Sequence, residues 1–124
     1  MNDMEFAVAV ESCEMPNAEF GHRQHLRLAW IYLREYGARA ARDRIQATLR
    51  AYAAHNGASE KYHVTITLAW MDLVERAAAE SPSFDAMLER HPQLLDKNVL
   101  GTLYSPDVLK SDAARLAYVA PDRQ

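Results

Sequence analysis

Residues 20–37 read FGHRQHLRLAWIYLREYG, and the fold class follows from this stretch. Between Gly21 and Gly37 apolar side chains return every three or four positions. Leu26, Ala29, Trp30, Leu33 and Tyr36 gather on one side of a 3.6-residue repeat, while Arg23, Gln24, Arg27, Arg34 and Glu35 fall on the other. This is the pattern of an amphipathic helix with a glycine at each end. His22 and His25 fall on its apolar side, where a residue with polar ring nitrogens needs a partner once buried.

The same period continues in both directions. Upstream, Asp3 to Cys13 forms a short helix with Phe6, Val10 and Cys13 as its buried stripe, ending before Pro16. Downstream, Ala38 to His55 buries Ala38, Ala41, Ile45, Leu49 and Tyr52, with Thr48 at the edge of the stripe. Arg39, Asp43, Gln46 and Arg50 face outward, and Asn56-Gly57 stops the helix. A fourth helix is expected from Ser59, as N-cap, to about Glu80. Its stripe holds His63, Ile66, Thr67, Trp70, Leu73, Val74 and Ala77, with Asp72, Glu75 and Arg76 on the far side. After Ser83 the segments FDAMLERH, QLLDKNVLGTLYS and PDVLKSDAARLAYVAP, each set off by proline or a capping residue, read as short helices. No strand, repeat, linker or low-complexity tract interrupts this pattern. The expected fold is therefore all-α, a compact bundle of about four main helices plus short C-terminal ones, in a single domain spanning 1–124.

Composition narrows the function. Of 124 residues, 49% are apolar and 25% charged, which is ordinary for a globular chain and far from a disordered one. A net charge of −3 with interleaved signs offers no broad positive field, so neither nucleic acid nor an anionic membrane is an expected partner. A lone cysteine excludes an internal disulfide. The opening MNDMEFAV has neither the basic region nor the apolar run of a signal peptide, so a cytoplasmic location is expected.

The chemistry centres on histidine. His22 and His25, one helical turn apart, can present two imidazoles to one ion while His63 arrives from another helix. Three neutral imidazoles suit a divalent transition metal: zinc, copper, iron or nickel. An open fourth position would let the ion polarise water or a small substrate for hydrolysis or oxidation, with Glu60 or Glu19 as fourth ligand or general base. Both acids stand three residues before a histidine, in Glu19-Phe20-Gly21-His22 and Glu60-Lys61-Tyr62-His63. Paired Glu-x-x-His motifs mark di-iron bundles. Here Glu19 precedes its helix, Gly21 interrupts the motif, and the third helix offers no inward Glu, so a mononuclear site fits better. Tyr62, Thr67, Trp70 and Trp30 are the candidate pocket walls, with Tyr104 a further aromatic. His91 and His55 read as helix-end residues and Cys13 as core.

The strings FGHRQHLRLAWIYLREYG and GASEKYHVTITLAW, with HPQLLDK at 91–97 and Leu103-Tyr104-Ser105 further on, resemble a small bacterial family of all-helical proteins over Phe20 to Val119. In that family the motif histidines correspond to His22, His25 and His63. The resemblance implies a shared fold and brings no agreed activity.

Two functions are thus expected from sequence. One is a small metal-binding helical protein, and in the enzymatic case a metalloenzyme, acting on a small molecule through His22, His25 and His63. The other is a metal-free module that binds a small ligand or a protein, with a homodimer among the options and the histidines hydrogen-bonded for structure.

Overall fold

Asn2 starts the first helix by a reciprocal cap: its side chain accepts the Glu5 N–H at 2.8 Å, and the Glu5 carboxylate accepts the Asn2 N–H at 2.9 Å. The structure, a computed structural model, describes residues 1–123, and among them the fold is all-α with no strand. They fall into two compact units, Met1–Tyr62 and the chain from His63 onward. None of the described helices is long and apolar enough to cross a membrane.

In the first unit, α1 (Asp3–Glu11) buries Phe6, Ala7 and Val10. It ends with Cys13 N–H on the Val10 carbonyl and Glu14 N–H on the Ala9 carbonyl, a turn that needs a left-handed residue at Cys13, where φ is +63°. Cys13 is therefore half-buried at a helix terminus, with its sulfur 3.9 Å from the Ala51 carbonyl, and does not extend the buried stripe of α1. Arg27 ties α1 to α2 (His22–His55) through a 2.9 Å ion pair with Asp3, and its guanidinium lies 4.5 Å over the Phe6 ring.

Gly37 breaks α2 into two arms, with φ +79° and ψ 167°. That conformation is open essentially to glycine alone. The first arm is more deeply buried than one stripe allows: Leu28, Ile31 and Tyr32 are inside together with Leu26, Ala29 and Trp30. Leu33 is only half-buried, and Tyr36 and Ala38 beside the break are exposed. Residues 26–33 carry apolar or aromatic side chains at all but one position, so burial there spreads beyond one stripe and the polar residues that stay exposed, Arg23, Arg34 and Glu35, lie nearer the ends of the arm. The second arm follows the expected stripe of Ala41, Ile45, Thr48, Leu49 and Tyr52. It closes with the same turn that ends α1, here with Gly57 at φ +69°.

In the second unit, α3 (Val64–Ala78) begins later than the sequence pattern suggests. Ser59–Lys61 forms a separate 3-10 turn, and His63 is the N-cap of α3, outside its buried stripe. The helix buries Val64, Thr65, Ala69, Met71, Val74 and Ala77, while Ile66, Trp70 and Leu73 pack half-buried against a cluster of Ala69, Leu100 and Tyr104. Three short helices follow, α4 (Phe84–Arg90), α5 (Pro106–Leu109) and α6 (Asp112–Leu116), capped by Ser83, Ser105 and Ser111. Two 3-10 turns, Pro92–Leu95 and Lys97–Thr102, lie between α4 and α5.

The segment after α6 is held as a strap. The fully buried Thr65 hydroxyl donates to the Ala117 carbonyl at 2.9 Å and accepts the Val119 N–H at 3.0 Å. Tyr104 donates to the Val119 carbonyl at 2.7 Å, Asp122 accepts the Ser105 N–H at 2.8 Å, and the Arg123 N–H meets the Leu103 carbonyl at 2.9 Å.

Candidate functional site

His25 and His63 are held by their own local structure. In the first turn of α2, His22 is half-buried and His25 is exposed. The His25 ring lies 4.1 Å from the Phe20 ring, and its Nδ1 donates to the Gly21 carbonyl at 2.8 Å. Phe20 in turn packs against Tyr52 at 4.9 Å and Phe6 at 6.3 Å, so His25 lies over an aromatic cluster with its far edge in solvent. The inward face expected for His25 is thus taken by Phe20.

His63 lies in the second unit with both ring nitrogens engaged. Nδ1 accepts the Ile66 N–H at 3.1 Å, which fixes the proton on Nε2, and Nε2 donates to the Leu109 carbonyl at 2.8 Å. One imidazole therefore caps α3 and ties it to α5. Among the described residues no group of three or more His, Cys, Asp or Glu side chains is arranged to hold a metal ion.

The other candidates separate in a similar way. Glu19 and Glu60 are exposed, each on its own 3-10 turn. Thr67 donates to the His63 carbonyl at 2.8 Å and so reinforces the first turn of α3. Trp70 belongs to the Ala69, Leu100 and Tyr104 cluster. In the first unit Trp30 is buried with the Arg34 guanidinium 5.0 Å over its ring, and Arg50 lies 5.1 Å over Tyr62. The Tyr62 hydroxyl is shielded from solvent and has no hydrogen-bond partner among the described residues. His63 and Thr67 are thus brought into one turn, packed near Trp70 through Ile66 and Leu109.

Two features went unmarked in the sequence. The first is a polar triad in the first unit, where the buried Tyr32 hydroxyl donates to the exposed Glu11 carboxylate at 2.5 Å and meets the buried Thr48 hydroxyl at 2.9 Å. Burial, reinforced by the Glu11 carboxylate, pushes the Tyr32 phenol far above its ordinary range, so it stays a donor. Arg44 stands 3.8 Å from Glu11 and 4.4 Å over the Tyr36 ring. The one usable signal was Thr48 at the edge of the stripe of its arm, since a hydroxyl near a buried face needs a partner; the burial of Tyr32 lies off the periodic stripe.

The second is a cleft of about 220 Å³ in the second unit. Leu73 and Ala77 of α3, Leu94 of the 92–95 turn and Val99 of the 97–102 turn form its apolar lining, and Arg76, His91 and Gln93 supply its polar groups. Sequence periodicity assigned Arg76 to a solvated face and His91 to a helix end. His91 does cap the end of α4, and the turn that follows brings it to the cleft. Comparison with protein-family models, with curated proteins and with solved structures finds no match to this chain.

Proposed function

We propose that this chain is a metal-free small-ligand-binding module whose histidines serve its fold. The observation that carries the reading is His63. A metal ligand must offer a nitrogen lone pair, and the one lone pair of the neutral His63 ring, on Nδ1, already accepts the Ile66 N–H. Recruiting it to an ion would uncap α3 and turn the ring away from Leu109. The small-ligand half of the proposal draws support from the cleft of the second unit, a small, half-open concavity that joins an apolar lining to a few polar groups at one place.

The test is elemental analysis of tag-free protein purified without chelator, beside a variant carrying His22→Ala, His25→Ala and His63→Ala, followed by an NMR fragment screen of the wild type. The expected result is no stoichiometric metal in either protein and fragment-induced shifts at residues 73–77 and 91–99. Near-stoichiometric metal that disappears in the triple variant overturns the proposal in favour of a three-histidine centre.

A further inference from the structure

We infer that the cleft of the second unit takes a small monocarboxylate with a compact apolar body. The inference rests on the small-ligand reading above and names its ligand class. Four aliphatic side chains, Leu73, Ala77, Leu94 and Val99, make a surface that gains from covering hydrocarbon. The polar groups are all able to donate: the Arg76 guanidinium has five N–H bonds, the Gln93 amide two, and the His91 ring at least one. No carboxylate lines the cleft.

Arg76 is the deciding residue. It sits in the last turn of α3, where a cation suits the helix end, and among the described residues it makes no ion pair or hydrogen bond. An uncommitted guanidinium beside an apolar floor matches an amphipathic anion, because its planar fork binds a carboxylate through two parallel N–H bonds while the floor covers the remainder. Volume limits the body. About 220 Å³ gives room for a branched four-carbon chain or one aromatic ring.

The experiment is an ¹⁵N-resolved NMR titration of the full chain with 3-methylbutanoate and benzoate, beside 3-methylbutanamide and inorganic phosphate. Both carboxylates are expected to shift the amide signals of residues 73–77 and 91–99 in a saturable way. The uncharged amide should bind about tenfold to a hundredfold more weakly, Arg76→Gln should lose a similar factor toward the carboxylates, and Arg76→Lys should fall between. Arg76 is exposed and makes no ion pair or hydrogen bond among the described residues, so its variants should melt within about 2 °C of wild type. Equal binding of amide and carboxylate, or no effect of Arg76→Gln, overturns the anion inference while leaving a small-ligand module standing. Phosphate binding as tightly as 3-methylbutanoate overturns the apolar-body part. If no compound of either charge moves those signals, the inference and the module reading fall together.

Discussion

Replacing His63 separates a structural histidine from a metal ligand by stability alone. In His63→Ala the Ile66 N–H loses its cap, at about 1 kcal/mol, and the Leu109 carbonyl loses its donor, at about 1 kcal/mol more. The sum is about 2 kcal/mol. With unfolding entropy near 2.1 cal/mol/K per residue, a chain of 124 residues shifts its midpoint by about 4 °C per kcal/mol, so His63→Ala should melt about 8 °C below wild type. His63→Asn divides the effect, since asparagine caps well and is too short to reach Leu109. About 4 °C is expected there. Differential scanning calorimetry at neutral pH, with and without EDTA, is the assay. The loss should be the same in both buffers, and EDTA should leave the wild type unmoved. A wild-type midpoint that EDTA lowers as far as the mutation does, or a His63→Ala midpoint within about 2 °C of wild type, would refute the double hydrogen-bonding role.

Gly37→Ala forces a side chain into the φ +79°, ψ 167° break of α2 and should cost about 1 to 3 kcal/mol, whereas Gly101→Ala, with open space and no positive φ, should stay within about 0.5 kcal/mol; urea unfolding of the pair compares them directly. Tyr32→Phe leaves the Thr48 hydroxyl and the Glu11 carboxylate without their shared partner and should cost about 1 to 2 kcal/mol in the same assay, a loss that unaltered stability would contradict. Asp122 is held below its ordinary value of 3.8 by the Ser105 N–H, so its contribution to the strap is complete above that value and lost as the pH falls through its lowered value. Exchange protection of the Ser105 amide should therefore weaken in acid, and Asp122→Ala should weaken it at neutral pH.

Much of the helical pattern was legible because it rests on spacing. Ala41, Ile45, Leu49 and Tyr52 repeat at three and four residues beside a polar face, and the second arm of α2 buries them as read. The first arm departs from its stripe, since the nearly unbroken apolar run of 26–33 lets Leu28, Ile31 and Tyr32 be buried outside it, which periodicity does not signal. Helix ends resisted for a different reason. Ser59 is the better cap by residue type, yet it opens a 3-10 turn, and His63 caps α3 with a ring nitrogen in a role that propensity does not anticipate. Once His63 is a cap, its apparent place on the inward stripe disappears, and with it the spacing that drew it toward His22 and His25. The cleft was out of reach because Arg76 and His91 lie fifteen positions apart, and what joins them is the course of the turns after α4, which carry no periodic signal.

The strap carries a consequence for synthesis on the ribosome. Thr65, Leu103, Tyr104 and Ser105 find their partners in residues 117–123, so the second unit is left with open donors and acceptors until those residues have cleared the exit tunnel. The triad of Glu11, Tyr32 and Thr48, by contrast, is complete as soon as residue 48 emerges. Stalled chains ending shortly before residue 117 should therefore carry a settled first half and a second half open to chaperones and proteases, an order of maturation set by where one buried threonine finds its hydrogen bonds.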